Sequence, residues 1–153
     1  MSVAFRRDGD EEHLEPKFEI PIPLGPNLVT QRGQDMIREK VDALEALVPT
    51  LDAGPALDTA KRDLRYWRTR QATAQLMPVP SGEAVEFGCT VTFRMNGKAR
   101  TLSIVGDDEA DPAAGLVSFS APLARAMMDA EPGEFVAYGG KPDAIEIIAV
   151  EAL

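Results

Sequence analysis

Leu51-Asp-Ala-Gly-Pro-Ala-Leu-Asp-Thr-Ala60 separates two stretches of helical spacing, and its reading decides the fold. Upstream, Thr30 is placed to cap a helix in which Ile37, Val41, Leu44 and Val48 recur at steps of four, three and four until Pro49 ends the run. Downstream, Pro55 suits a first helical turn, and Leu57, Ala60, Leu64, Trp67 and Ala74 continue the same alternating spacing, with only Gln71 interrupting, up to Pro78. Two apolar seams joined through Gly54-Pro55 predict an antiparallel helical hairpin of coiled-coil type, with arms of roughly 18 to 22 residues, about 27 to 33 Å long. Asp52 and Asp58 flank the turn, either as paired carboxylates for a metal ion or as caps and solvated ends of the neighbouring helix.

Beyond Pro78-Val-Pro-Ser-Gly82 the period changes to two. Val85, Phe87, Cys89, Val91 and Phe93 alternate with polar residues, as in a half-buried strand, and Asn96-Gly97 supplies a two-residue hairpin turn into a second strand carrying Leu102 and Ile104. Further strands fit 116–119, 134–138 and 144–150, a helix fits 122–129, and Gly139-Gly-Lys-Pro-Asp143 reads as the last turn. The expectation is an α+β chain: an acidic, proline-rich and disordered tail and linker over 1–26, the helical hairpin over 27–79, and a largely antiparallel sheet domain with one helix over 80–153. Phe5, Phe18 and Ile20 leave open a second reading of the tail, as a peptide that folds on a partner.

A net charge of -9 argues against a general duplex-DNA binder. The charge is unevenly spread, because Lys61-Arg-Asp-Leu-Arg-Tyr-Trp-Arg-Thr-Arg70 sets five cations against one anion beside an acidic C-terminal half. Arg62, Arg65, Arg68 and Arg70 read as an outward basic face next to Tyr66. Such a face could stack on and pair with single-stranded nucleic acid, or could be a solvated surface paired with acids. Trp67 is expected where the hairpin arms meet. His13 is the one histidine and lies in the tail, so no Ser-His-Asp, Cys-His or multi-histidine metal arrangement can be assembled. The lone Cys89 reads as a core thiol, and Gly106-Asp-Asp-Glu-Ala-Asp111 lacks the ligand spacing of a calcium loop. No catalytic residue, cofactor or resident metal is expected. No apolar run approaches the ~20 residues of a membrane helix, so a cytoplasmic chain without membrane contact is expected.

Several segments together resemble the bacterial GreA/GreB transcription elongation factors: Leu28-Val-Thr-Gln-Arg-Gly33, Phe87-Gly-Cys-Thr-Val-Thr-Phe93, Ile104-Val-Gly-Asp-Asp-Glu-Ala-Asp111, Val117-Ser-Phe-Ser-Ala-Pro-Leu-Ala-Arg-Ala126 and Pro132-Gly-Glu-Phe-Val136. The resemblance covers about residues 27–153. It implies that the hairpin enters the secondary channel of RNA polymerase and that an FKBP-like C-terminal domain docks on its rim, the chain acting as a monomer with at most weak or indirect contact to transcript RNA or DNA. The family's docking loop matches Ser120-Ala-Pro122, with Asp108 and Glu109 in the acidic loop nearby. Cleavage-active members carry a Gly-Asp-Leu-x-Glu-Asn-like tip whose two carboxylates, three residues apart, help hold a magnesium ion. Here the tip is Asp52 and Asp58, six apart across Gly54-Pro55, on shorter arms. The resemblance thus implies a polymerase regulator with no active site of its own, transcript cleavage being replaced by channel occupancy; the alternative is a genuine magnesium-dependent cleavage factor using the tip carboxylates. An isomerase reading of the FKBP-like domain needs a deep aromatic pocket, which the few phenylalanines must also share with the core.

Overall fold

The computed structural model describes residues 19–153. They fall into two compact units: one of residues 19–25 with Asp35–Thr73, the other of Pro26–Gln34 with Ala74–Leu153.

The first unit is the hairpin. Helix α1 spans Gln31–Leu47 and a single 3-10 turn follows at Val48–Thr50, where Pro49 removes a backbone donor. Helix α2 spans Pro55–Thr73. At 17 and 19 residues the helices run about 26 and 28 Å. The seam is real: Ile37, Val41, Ala60 and Leu64 are buried, while Leu44, Val48 and Leu57 are half-buried. At the turn, Gly54 has φ +153, a conformation open to glycine at little cost, and its carbonyl accepts from the Asp58 amide at 3.0 Å. Trp67 is half-buried rather than central; its ring meets Tyr66 edge-on at 5.0 Å, and Lys40 Nζ lies 5.8 Å from its centroid.

The second unit is built on a five-stranded sheet. Strands β3 (Cys89–Met95) and β4 (Lys98–Val105) form the expected hairpin, with Asn96 at φ 54 and Gly97 at φ 75 making the two-residue turn. Strand β5 (Leu116–Ser118) runs parallel to β4, helix α3 (Pro122–Met127) follows, and β6 (Phe135–Tyr138) and β7 (Lys141–Ala152) close the chain. The order is β5-β4-β3-β7-β6, antiparallel except for the β4–β5 pair. Phe93, Ile104, Ile145, Ile147 and Met127 are fully buried at its centre, each such side chain contributing about 1.5 to 3 kcal/mol through burial.

Three expectations need correction. The first strand starts at Cys89, not Val85: Val85 is buried, but its amide donates to Ala130 O and its carbonyl accepts from Asp129 N, so it packs like a strand residue without joining the sheet. The last turn is only Gly139-Gly140, and Lys141–Asp143 already belong to β7. Residues 27–34 and 74–79, read as hairpin, include a two-stranded parallel pair, β1 (Leu28–Val29) with β2 (Gln75–Leu76), that belongs to the sheet unit. Their registers are Leu28 with Gln75 and Val29 with Leu76. The two-residue strands are too short to show a period. The readings of the tail over residues 1–18, His13 included, lie outside the described residues.

Candidate functional site

In the sheet unit the acidic loop after β4 is held by a buried knot. Thr30 caps α1: its Oγ1 accepts from the Gly33 amide at 3.0 Å. The same hydroxyl donates to Glu109 Oε1 at 2.6 Å, and Arg32 Nη1 donates to Glu109 Oε2 at 2.7 Å. The Glu109 side chain is 2% exposed and the Arg32 side chain 67%, so the carboxylate is inside and its cation is at the rim. Gly33 permits this approach, since a Cβ there would stand 2.8 Å from Glu109 Oε1 and the carboxylate would have to shift. Gly106, opening the loop, is tighter still, because its Cβ would overlap the Leu28 carbonyl oxygen of β1. Glu109 therefore fixes the loop to the start of α1. The docking role expected of its carboxylate is withdrawn, because a buried, doubly bonded carboxylate has nothing to present to a partner.

A second cluster ties the acidic loop to Ser120-Ala121-Pro122. Asp107 Oδ1 accepts from Ser118 Oγ at 2.6 Å and from Ser120 Oγ at 3.1 Å, and the Ser120 amide donates to Ser118 Oγ at 3.1 Å. Ser120 and Pro122 are exposed, Asp108 is half-buried, and Pro122 opens α3. These three stay together on the surface near Asp107, a residue the sequence reading passed over. The signal for the whole assembly was present as glycines: Gly33 in a helical first turn and Gly106 before an acidic run are both costly unless backbone or side chain approaches closely.

An apolar groove of about 770 Å³ also lies in this unit, walled by Met77, Val79, Pro80, Phe87 and Leu116 with Arg32 at its rim. Phe87 is the single aromatic among its lining residues, and Phe119 packs edge-on behind it at 5.6 Å.

In the hairpin unit the tip carboxylates are exposed. Asp58 lies in the first turn of α2, whereas Asp52 precedes the helix, across Gly54-Pro55, so no shared helical face aligns them. Among the described residues no three His, Cys, Asp or Glu side chains gather as a metal site. The basic face is also altered. Arg70, in the last turn of α2, is 2% exposed and so is removed from it. Tyr66 is half-buried. Arg62 pairs with Asp63 at 3.0 Å, Arg68 with Glu45 at 2.9 Å and Arg65 with Glu19 at 2.7 Å. A face paired with acids is what the structure shows. Cys89 is buried, and desolvation pushes its thiol above the ordinary range. No helix among the described residues is long and apolar enough to cross a membrane.

A helical hairpin unit and a five-stranded sheet unit with one short helix define a two-unit α+β protein. The family model described as "Transcription elongation factor, GreA/GreB, C-term" matches residues 80–152. A relative from Vibrio parahaemolyticus, "Transcription elongation factor GreA", is 32% identical over 151 residues, covering 80% of this chain and 96% of that protein. Another of that name from Desulfovibrio desulfuricans is 37% identical over 81 residues, covering 50% of each, so the chain spans about half of that relative's length. A crystal structure of the GreA factor homolog 1 (Gfh1) protein of Thermus thermophilus is 14% identical over 84% of this chain and 100% of that one, with a TM-score of 0.40, too loose a likeness to carry weight. The chain belongs to the GreA/GreB family of transcription elongation factors.

Proposed function

We propose that this chain binds RNA polymerase at the secondary channel, with the sheet unit docking on the rim and the short hairpin entering, and that it regulates the enzyme without stimulating transcript cleavage. The observation carrying the last part is the tip: Asp52 and Asp58 are exposed but separated by the Gly54-Pro55 turn, one in the helix and one outside it. A carboxylate misplaced by even one helical turn, about 5.4 Å, misses an ion whose oxygen ligands sit within about 2.6 Å. Docking falls to Asp108, Ser120 and Pro122, grouped by Asp107. Family membership supports the partner, and the two-unit plan supports the division of labour.

Stalled elongation complexes test the absence of cleavage. The expected result is unchanged transcript length on adding the protein with magnesium. Shortening that disappears in Asp52→Ala and Asp58→Ala would instead establish the second reading, a cleavage factor. Docking is tested separately, by the affinity of Pro122→Ala with Asp108→Ala for polymerase. A loss of about tenfold is expected, and an unchanged affinity would remove that loop from the seat.

A further inference from the structure

Within the hairpin unit, the segment Glu19-Ile-Pro-Ile22 lies beside α2. Arg65 grips its first residue in bidentate fashion, Nε donating to Glu19 Oε1 at 2.8 Å and Nη2 to Oε2 at 2.7 Å, across 46 residues of sequence. Ile20 is half-buried, and Ile22 is 43% exposed. A cleft of about 470 Å³ remains under the segment, with Ile20 and Ile22 on one side and Arg65, Tyr66, Arg68 and Thr69 on the other. The contact is thus specific in geometry but loose in packing. Pro21 and Pro23 fix φ along the segment, which lowers the entropy lost when it lies down.

The position matters because of what is covered. Arg65 and Arg68 are the central exposed cations of α2, and Arg68 is already paired with Glu45. With Glu19 in place, each of these guanidiniums faces a carboxylate. We propose that Glu19–Ile22 is a built-in strap, an acidic and aliphatic ligand carried by the chain itself, that masks the basic face of α2 and is displaced by a competing polyanion. The inference goes beyond the proposed function and does not rest on it. The hydrogen bond from Arg65 also holds the Glu19 carboxyl below the ordinary range and raises Arg65, as expected for a pair that favours both charges. Both side chains are more than half exposed, 52% for Arg65 and 58% for Glu19, so the mask is weak and reversible.

The test uses the full chain and medium-chain inorganic polyphosphate as the polyanion, at about 0.1 M salt, where exposed pairs are only partly screened. Glu19→Gln is expected to raise polyphosphate affinity about two- to fivefold, within the range an exposed pair commands. Glu134→Gln, which changes net charge equally from an exposed position in the sheet unit, is expected to leave affinity within about 1.5-fold. In an Arg65→Gln background the gain from Glu19→Gln is expected to vanish. Equal affinities for Glu19→Gln and the parent would overturn the strap, as would a gain that survives Arg65→Gln or is matched by Glu134→Gln. Circular dichroism of each variant checks that the hairpin is intact.

Discussion

Replacing Glu109 by alanine tests the claim that this residue builds the loop. The substitution removes the acceptor of the 2.6 Å bond from Thr30, a hydrogen bond to a buried charged group of the kind worth about 1.5 to 3 kcal/mol. It also releases Arg32, but that guanidinium is largely in water, so the lost pair adds at most about 1 kcal/mol. The sum, about 1.5 to 4 kcal/mol, corresponds to a fall in Tm of roughly 3 to 16 °C for a chain of this size. Differential scanning calorimetry reads it directly. Two companions make the number informative. Arg32→Ala is expected to cost no more than about 1 kcal/mol. Glu109→Gln, which keeps an acceptor for Thr30, is expected to cost less than Glu109→Ala. If Arg32→Ala matched Glu109→Ala, the cation rather than the buried hydroxyl contact would carry the knot. A Glu109→Ala protein melting within 1 °C of the parent would refute the structural role altogether.

Gly106→Ala puts a methyl group onto the Leu28 carbonyl oxygen, which is backbone and cannot step aside, so a loss of about 1 to 3 kcal/mol is expected in urea unfolding. Cys89 in the folded chain is expected to resist alkylation by iodoacetamide at pH 8 and to react at a free-thiol rate in urea, since burial disfavours the thiolate. The sign for stability follows: the folded thiol holds its proton more tightly than the unfolded one, so its contribution is full below the unfolded value, about 8.5, and is lost as pH rises through the higher folded value. A Cys89→Ala protein should therefore lack that part of the alkaline decline in Tm.

The parts of the fold with a long period were legible in the chain. Ile37, Val41, Ala60 and Leu64 repeat often enough to define a face, and Asn96-Gly97 names its own turn because its two residues need positive φ. What escaped was set by contacts distant in sequence. Nothing local distinguishes Glu109 from Asp108, yet a partner 79 residues away draws one inside. Arg70 follows the same charged pattern as Arg68, yet it is buried and Arg68 is exposed, a difference that the local pattern does not carry. Val85 and Phe87 have the alternation of a strand, but burial alone produces that alternation, and hydrogen bonding to the segment after α3 kept Val85 off the sheet. Nothing beside Asp107 in the chain marks it out, because its role lies in two hydroxyls supplied by Ser118 at the end of β5 and Ser120 just after it.

The pairing of β1 with β2 has a consequence for how arms of different length could arise. Neighbouring strands lie about 4.8 Å apart, so the chain leaves the sheet unit and returns to it through nearly the same point. Everything between is topologically an insertion with a closed base. Matched turns can be added to or deleted from α1 and α2 while Leu28 stays opposite Gln75 and Val29 opposite Leu76. Arm length can then vary without a change in the β1–β2 register that closes the base.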